Sequence, residues 1–319
     1  MPRRPRILIS EHLSEPACIW LETKGMVVHC SHDDPDFENQ LVRAEALVVR
    51  TYTIVDESLL AKAGALKVVG RAGAGLDNID LNACRARGIE VVYRPDANTQ
   101  AVVEYVITLL GDALRPKAVL SSAVDREVWT TLRAETVGRR QMNELTLGIL
   151  GLGRIGKRLA QVAGAIGFEV LYHDLLEIPP QDRFGAKPVA LDVLFEHSDV
   201  LSLHVDGRAE NRHLAGKPLL ERMKRDAILI NTSRGFVVDN IALAQMLSER
   251  PEMLALLDVH DPEPIGEDSP LLGLSNARLY PHLASRTLWA MGEMSWVVRD
   301  VVAVLEGRKA EFIATAGRD

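Results

Sequence analysis

The sequence has few cysteines and no long apolar run. Its three cysteines, Cys18, Cys30 and Cys84, form no Cys-x-x-Cys pair and stand in no metal-binding spacing with histidine. This excludes a disulfide-stapled scaffold and indicates free thiols in a reducing compartment, and we expect no bound metal. No stretch approaches the roughly 18 apolar residues of a membrane helix. The apolar run Ile7–Ile9 after the basic start is too short for a signal peptide, so we expect a cytoplasmic protein that does not bind membranes.

The sequence also has fewer basic than acidic residues. The 319 residues contain 37 Lys and Arg against 44 Asp and Glu, a formal net charge of −7. An acidic chain without a long basic block is a poor partner for nucleic acids or anionic membranes, although a local group of arginines can still bind a small anion. At roughly 150 residues per domain the chain has the length of about two domains. Hydrophobic residues make up 47% of it, which is enough for two cores.

Short apolar runs alternate with helical patterns over the first hundred residues. Such runs are typical of strands buried on both faces of a parallel sheet. They are Ile7–Ile9, Val27–His29, Leu47–Val49, Val68–Gly70 and Val91–Tyr93. A longer helical pattern from Asn98 to Leu120, broken near Pro116, follows them. The polar stretch after it is interpreted as a connector.

A second alternating series begins at Leu145. Its apolar runs are Leu147–Leu150, Val170–Tyr172, Val200–His204, Ile228–Asn231, Leu254–Val259 and Leu279–Tyr280. A last helical stretch, Ser285–Glu306, is left over and can return to the first unit. The order predicts an α/β protein with two doubly wound parallel-sheet domains.

A glycine-rich motif lies between the first strand and the first helix of the second series. The motif comprises Gly151, Gly153, Arg154, Ile155 and Gly156. In dinucleotide-binding folds such glycines permit a tight turn, close approach of the pyrophosphate and close packing of helix on strand. The pyrophosphate then lies at the positive end of the helix dipole. Asp174 ends the next strand, where an acidic side chain bonds the ribose hydroxyls and repels a 2′-phosphate, so NAD is the predicted cofactor.

Three polar side chains follow other strands of the second series. Arg234, Glu263 and His282 lie in INTSRGFVVDNIAL, LDVHDPEP and YPHLASRT. Ligands bind outside the carboxyl ends of parallel strands, so the three could converge on one substrate. A histidine titrates near neutral pH and could serve as acid and base. The glutamate could orient it and oppose its positive charge, and the arginine could hold a carboxylate by two hydrogen bonds.

Each of these residues also has an ordinary structural explanation. Arg234 could be an ion-pair partner, Glu263 a loop acid, and His282 a surface histidine or a satisfied core histidine. His204 also ends a strand and is an equally good candidate for the proton carrier. Periodicity does not choose between the two histidines.

Over essentially its full length, the chain resembles the D-isomer-specific 2-hydroxyacid dehydrogenases. Five ordered motifs carry the resemblance: GRAGAGLDNIDL (70–81), GILGLGRIGKRLA (148–160), LINTSRGFVVD (229–239), DVHDPEP (258–264) and PHLASRT (281–287). The resemblance implies a flavodoxin-like substrate domain made of residues 1–98 and 285–319. It also implies a Rossmann-type NAD domain of residues 99–284 and a homodimer.

The resemblance also implies roles for particular residues. Arg234, Glu263 and His282 match the catalytic arginine, glutamate and histidine of the family, and this selects His282 over His204 as the acid and base. The remaining matches are the aspartate near the nicotinamide carboxamide (Asp258), the loop whose N–H groups hold the substrate carboxylate (Ala74 and Gly75), and further cofactor contacts (His204 and Thr232).

Within the family the chain is similar to the D-3-phosphoglycerate dehydrogenases. Arg50 and Arg71 match their phosphate-facing arginines, although ordinary ion pairs at strand ends would explain both. The resemblance predicts 3-phosphoglycerate and 3-phosphohydroxypyruvate as the substrate pair, in serine biosynthesis. The alternatives are a reductase of glyoxylate, hydroxypyruvate or another small 2-keto acid, and an NAD-sensing regulatory protein.

Two segments depart from the family pattern. After His204 the family usually continues with Pro-Leu-Thr, whereas residues 205–208 here read Val-Asp-Gly-Arg. The family pattern therefore does not predict the geometry of this cofactor-facing loop. His260 stands where an aromatic residue is common and adds a titratable group near Glu263. The chain stops at Asp319 without the regulatory C-terminal domain of many phosphoglycerate dehydrogenases, so feedback by serine through such a domain is not expected.

Overall fold

The computed structural model describes residues 4–315, and these form two compact units. The first consists of the chain up to Asn98 together with the chain from Ser285 onward. The second is the continuous segment Thr99–Ala284. The first residues of the basic start and the last residues of the chain lie outside the described part, and with them the two outer ends of the expected substrate domain.

Between residues 4 and 98, five strands alternate with four helices. The elements are β1 (Arg6–Ile9), α1 (Glu15–Glu22), β2 (Met26–His29), α2 (Phe37–Leu41), β3 (Ala46–Val49), α3 (Glu57–Lys62), β4 (Val68–Arg71), α4 (Leu81–Ala86) and β5 (Glu90–Tyr93). The strands pair in parallel in the order β2-β1-β3-β4-β5, the flavodoxin-like arrangement. Alternate side chains of β3 enter two different hydrophobic clusters, so the sheet is covered on both faces.

The second unit contains a larger parallel sheet. Its elements are α5 (Thr99–Leu114), α6 (Arg126–Glu135), β6 (Thr146–Leu150), α7 (Arg154–Ile166), β7 (Glu169–His173), β8 (Lys187–Pro188), α8 (Leu191–His197), β9 (Val200–Leu203), α9 (Lys217–Leu220), β10 (Ile228–Asn231), α10 (Asn240–Glu249), β11 (Leu254–Leu257) and β12 (Ala277–Leu279). The strand order is β12-β11-β10-β9-β6-β7-β8. The direction in which successive strands are added to the sheet reverses between β6 and β9. In doubly wound sheets the ligand binds in the crevice at this point.

The polar stretch after α5 is not a plain connector, and in this respect the sequence interpretation was wrong. It contains α6, which Asp125 caps by accepting the N–H of Val128 at 2.8 Å. No residue of α6 is buried, and Trp129 remains 49% exposed. The apolar stripe of α6 is short, so its periodicity was too weak to distinguish a helix from a loop in the sequence.

The chain from Ser285 onward returns to the first unit, but as two helices rather than the single predicted helix. α11 (Leu288–Ser295) and α12 (Val298–Leu305) are separated at Trp296 and Val297. Val301 of α12 packs against Gly70 of β4 so closely that a Cβ at Gly70 would lie 2.4 Å from its Cγ2. This packing makes the first unit discontinuous in sequence.

Two further observations concern residues 4–315 alone. None of their helices has both the length and the apolar character needed to cross a membrane. Cys18, Cys30 and Cys84 are free thiols. Burial raises the pKa of the Cys84 thiol to about 11, so this cysteine is a neutral core residue.

Candidate active site

The glycine motif forms the turn between β6 and α7. At Gly151, whose φ is +93°, a Cβ would lie 2.7 Å from the carbonyl oxygen of His204. At Gly156 a Cβ would lie 2.2 Å from the carbonyl oxygen of Gly151, whereas nothing lies within 4 Å of a Cβ at Gly153. The first and third glycines are therefore required by packing, and the second leaves open space at the start of α7. This is the geometry of a pyrophosphate-binding turn, and Arg154 and Ile155 begin its helix.

Asp174 follows β7 and is anchored to the same turn. Its Oδ2 accepts the backbone N–H of Leu152 at 2.6 Å, and its Oδ1 accepts that of Leu176 at 2.8 Å. Pairing of Leu150 with both His173 and Leu203 places the ends of β7, β6 and β9 side by side. The acidic side chain thus lies at the sheet edge where the sequence predicts the ribose.

Two buried polar atoms at the neighbouring strand ends have no hydrogen-bond partner within the described protein. They are Nδ1 of His204 and Oγ1 of Thr232. The other ring nitrogen of His204 lies 2.8 Å from Oγ of Ser202, and burial lowers the pKa of His204 to about 4. A buried polar group without a partner is costly, so both atoms fit a polar ligand along this edge. His204 is neutral at physiological pH and therefore a poor proton donor.

Asp258 fixes the turn that carries His282. Its two carboxylate oxygens accept the N–H groups of Leu283 and Ala284, each at 2.8 Å, while its carbonyl accepts the N–H of His282 at 2.9 Å. His282 has φ of +54°, a left-handed conformation that is costly for a residue with a side chain. Three hydrogen bonds to one buried aspartate hold that conformation in place.

The imidazole of His282 is paired with a carboxylate. Its Nδ1 lies 2.9 Å from Oε2 of Glu263, and the side chains are 40% and 30% exposed. Burial tends to raise the pKa of Glu263, but hydrogen bonds from the His282 ring and the His260 backbone, with the charges of both rings, bring it below its ordinary value. Glu263 is therefore ionised at neutral pH and able to stabilise a positively charged imidazole.

His260 links the two loops that carry this pair. Its backbone N–H donates to Oε1 of Glu263 at 2.9 Å, and its Nε2 lies 2.8 Å from the carbonyl oxygen of Tyr280. Because a carbonyl only accepts, that nitrogen carries the proton. The sequence marked His260 as an unassigned group, and the structure shows that it positions Glu263 relative to the segment leading to His282.

Arg234 lies on the adjacent loop, after β10. The side-chain amide of Asn231 donates to its carbonyl oxygen at 2.9 Å, and its Nη1 donates to the carbonyl of Ser233 at 2.7 Å. At Gly235 a Cβ would lie 1.9 Å from the carbonyl carbon of His260. Only glycine permits this contact, which holds the arginine loop against the loop of Glu263.

Tyr105 was missed from sequence because it comes from α5, far from every motif. Its ring makes an edge contact with Tyr280 at 6.0 Å between centroids. Burial and the charge of Asp258 raise its pKa, so it is a neutral phenol beside the aspartate that holds the His282 turn. No sequence spacing pointed to it.

In the first unit, Arg50 and Arg71 stand at neighbouring strand ends. Arg71 ends β4 and pairs in register with Val49, which precedes Arg50. Nη1 of Arg50 donates to the carbonyl of His12 at 3.2 Å. The guanidinium of Arg71 lies across Gly73, where a Cβ would approach Nη1 to 1.3 Å, and Ala74 and Gly75 continue that loop.

Glu11 organises this edge and was also missed, although its position two residues after β1 was a usable signal. Its carboxylate accepts four successive backbone N–H groups of residues 50–53 at distances from 2.8 to 3.1 Å. Burial raises the pKa of Glu11, but the four hydrogen bonds together lower it by more than burial raises it, so the net shift of the pKa is downward. Burial also lowers the pKa of Arg50, an effect that Glu11 opposes and the charge of Arg286 reinforces.

The fold agrees with that of known proteins. A family model described as "D-isomer specific 2-hydroxyacid dehydrogenase, NAD binding domain" matches residues 107–284. The chain belongs to the D-isomer-specific 2-hydroxyacid dehydrogenases, and the matched residues 107–284 lie within its second unit. Among the described residues, no group of three or more His, Cys, Asp or Glu side chains could hold a metal ion.

Relatives with different substrates are about equally similar to the chain. It is 34% identical to a D-3-phosphoglycerate dehydrogenase of Archaeoglobus fulgidus over 95% of the chain and 58% of that protein. It is 36% identical to an (S)-sulfolactate dehydrogenase of Chromohalobacter salexigens (95% and 99%) and 33% identical to a glyoxylate reductase of Aeropyrum pernix (96% and 94%). The chain spans only 50–59% of three D-3-phosphoglycerate dehydrogenases that it matches.

Solved structures show the same architecture. A D-lactate dehydrogenase from Aquifex aeolicus, in complex with NAD and lactic acid, superposes with a TM-score of 0.81 at 27% identity, covering 95% of this chain and 96% of that one. An NADPH-dependent glyoxylate/hydroxypyruvate reductase from Sinorhizobium meliloti, in complex with NADP and malonate, gives 0.83 at 27% identity, covering 98% and 97%. Both nicotinamide cofactors therefore occur on this fold.

Proposed function

We propose that the chain is an NAD-dependent dehydrogenase that interconverts a D-2-hydroxyacid and its 2-keto acid. The observation that carries the proposal is the 2.9 Å contact between Nδ1 of His282 and Oε2 of Glu263, at the same sheet edge as the glycine turn. A pure NAD sensor needs the turn but has no need of an acid and base oriented by a carboxylate.

The side chains then have separate tasks. When bound, the nicotinamide ring donates or accepts the hydride. His282 gives a proton to the carbonyl oxygen in reduction and takes it back in oxidation. Glu263 keeps the ring oriented and stabilises its protonated form. Arg234 holds the substrate carboxylate through paired hydrogen bonds and polarises the carbonyl.

Further residues are predicted to bind the cofactor and the substrate carboxylate. The residues that would hold the cofactor are Gly151, Gly153, Arg154, Ile155, Gly156, Asp174, His204, Thr232 and Asp258. The unpartnered Thr232 hydroxyl and His204 nitrogen support this assignment. The N–H groups of Ala74 and Gly75 would bind the substrate carboxylate in the first unit.

For the substrate we propose 3-phosphoglycerate and 3-phosphohydroxypyruvate, the pair expected of serine biosynthesis. The support is the register of Val49 with Arg71, which brings two arginines to one sheet edge, together with the added charge of Arg286 near Arg50. Guanidinium groups suit phosphate oxygens. A reductase of glyoxylate or hydroxypyruvate is the alternative, since the similarity to the Aeropyrum enzyme is nearly as high.

One kinetic comparison tests the proposal. We would measure NADH oxidation with 3-phosphohydroxypyruvate, sulfopyruvate, hydroxypyruvate, glyoxylate and pyruvate. The highest kcat/KM is expected with 3-phosphohydroxypyruvate. A higher kcat/KM with glyoxylate would support the small-keto-acid reductase instead of the phosphoglycerate dehydrogenase. Absence of turnover with every acid would favour an NAD sensor.

We also propose a homodimer in the cytoplasm. The free thiols are consistent with a reducing compartment, and α6 presents Trp129 and Val128 with 49% and 43% exposure, as suits an interface. Size-exclusion chromatography with light scattering should give twice the chain mass. The Trp129→Glu variant should shift the mass toward the monomer.

A further inference from the structure

In the loop of residues 205–208, which departs from the family sequence, Asp206 is hydrogen-bonded to Arg208 and to Asn211. Nε of Arg208 donates to Oδ1 of Asp206 at 2.7 Å and approaches Oδ2 at 3.0 Å, and the guanidinium also pairs with the same carboxylate through Nη2. The side-chain amide of Asn211 donates to the carbonyl and to Oδ1 of Asp206, both at 3.0 Å. The loop thus presents one fixed cation, 43% exposed.

The first residue of this loop packs against the glycine turn. Its first residues follow β9, and a Cβ at Gly151 would lie 3.1 Å from the backbone nitrogen of Val205. Asp174 touches the same turn through the N–H of Leu152. The loop and the acid predicted to bind the ribose therefore lie at the ends of the two strands that flank β6, on either side of Gly151.

The charges around Arg208 are in keeping with this strand-end geometry. The hydrogen bond with Asp206 raises the pKa of Arg208, burial opposes this, and the charges of Asp206, Glu210 and, last, Asp174 add to the rise, so the net shift is upward. Arg208 is thus a permanent cation within electrostatic reach of Asp174. A 2′-phosphate bound near Asp174 would meet both charges.

We infer that Arg208 is a specificity-determining residue for the adenosine end of the cofactor, and that it offsets the repulsion of NADP by Asp174. Asp174 favours the free ribose diol, and Arg208 supplies a charge-assisted partner for a 2′-phosphate. The protein should consequently discriminate less against NADP than its acidic ribose-binding residue alone would dictate. The inference concerns the cofactor alone, so it is independent of the substrate proposed above.

Equilibrium binding of NADH and NADPH, measured by fluorescence titration without substrate, tests this. The Arg208→Gln variant should raise the Kd for NADPH about tenfold, the loss expected for one charge-assisted hydrogen bond, and barely change the Kd for NADH. The matched control is Arg222→Gln, because Arg222 is also 43% exposed and paired with acids, Asp192 and Glu196. The control should leave both constants unchanged.

Equal weakening of the two cofactors by Arg208→Gln, or no change in either, would overturn the inference. If that variant does not fold by circular dichroism, Asp206→Asn gives an independent test, since it removes the countercharge but keeps Arg208. It should tighten NADPH relative to NADH, and the opposite change is contrary evidence. If the unchanged protein binds too little NADPH to measure, the comparison is made in the Asp174→Asn background, where undetectable binding also counts against the inference. A protein that reduces no 2-keto acid still yields these constants.

Discussion

Oε2 of Glu263 lies 2.9 Å from Nδ1 of His282, so the carboxylate occupies one ring nitrogen and leaves Nε2 for proton transfer. The other carboxylate oxygen accepts the N–H of His260 at 2.9 Å. Two hydrogen bonds therefore fix the glutamate, and one of them fixes the imidazole. This is the arrangement expected of an oriented acid and base.

Removing the acid should slow the reaction without unfolding the protein. A folded His282→Ala variant should lose about 10²–10⁴ in kcat, the range for general acid–base catalysis. Its Kd for NADH, measured by fluorescence, should remain close to that of the unchanged protein. An activity loss of less than tenfold would assign the proton transfer to another group.

Removing the negative charge of Glu263 should shift the pH dependence. In reduction the imidazole must be protonated, and the Glu263 carboxylate, whose pKa lies below its ordinary value, is charged across the neutral range. Glu263→Gln no longer stabilises the imidazolium, so the basic limb of the kcat/KM profile should move to lower pH. An unmoved limb with a lower plateau would mean that Glu263 only positions the ring.

Asp258 should matter for stability because both its oxygens are engaged. In Asp258→Asn one backbone N–H of Leu283 or Ala284 loses its acceptor, at a cost of about 1–3 kcal/mol for a buried donor. Urea denaturation would measure the loss. The control is Asp239→Asn, since a single oxygen of Asp239 accepts both of its bonds, from Ile241 and Ala242, and an amide oxygen can replace it. Equal losses for both variants would contradict the argument.

The arginines at the edge of the first unit should act on the far end of the substrate. Arg50→Ala and Arg71→Ala should each reduce kcat/KM for 3-phosphohydroxypyruvate roughly 10–100-fold, by the strength of one charge-assisted hydrogen bond, and largely spare glyoxylate. Arg87→Ala is the control because Arg87 pairs with Glu57 on the surface. Equal losses with both substrates would make the two arginines structural.

Asp174 should determine the preference for NAD. Asp174→Ala removes the charge that repels a 2′-phosphate, so the ratio of kcat/KM for NADH to that for NADPH should fall. Steady-state kinetics at saturating 2-keto acid would measure it. Equal use of NADH and NADPH by the unchanged protein would show that this acid does not select the cofactor.

The sequence by itself determined most of the strands, the glycine turn and the family, although it missed the two-residue strand β8 (Lys187–Pro188). β10 was predicted with its observed bounds, Ile228–Asn231, because strands buried on both faces leave a continuous apolar run and glycine marks a turn wherever it is needed. It also placed Glu263 and His282 at strand ends. These signals are local, since they depend on periodicity and on backbone conformations that a few residues specify.

Only the tertiary structure decided which partners those residues meet. The bonds of Asp258 to the His282 turn, the bridge of His260 to Tyr280 and the position of Tyr105 join segments that no sequence spacing relates. The same holds for α6, whose helical pattern is not reinforced by burial, and for the break at Trp296 between α11 and α12. Long-range packing selects among conformations that local propensity leaves close in energy, so these features follow from the assembled fold.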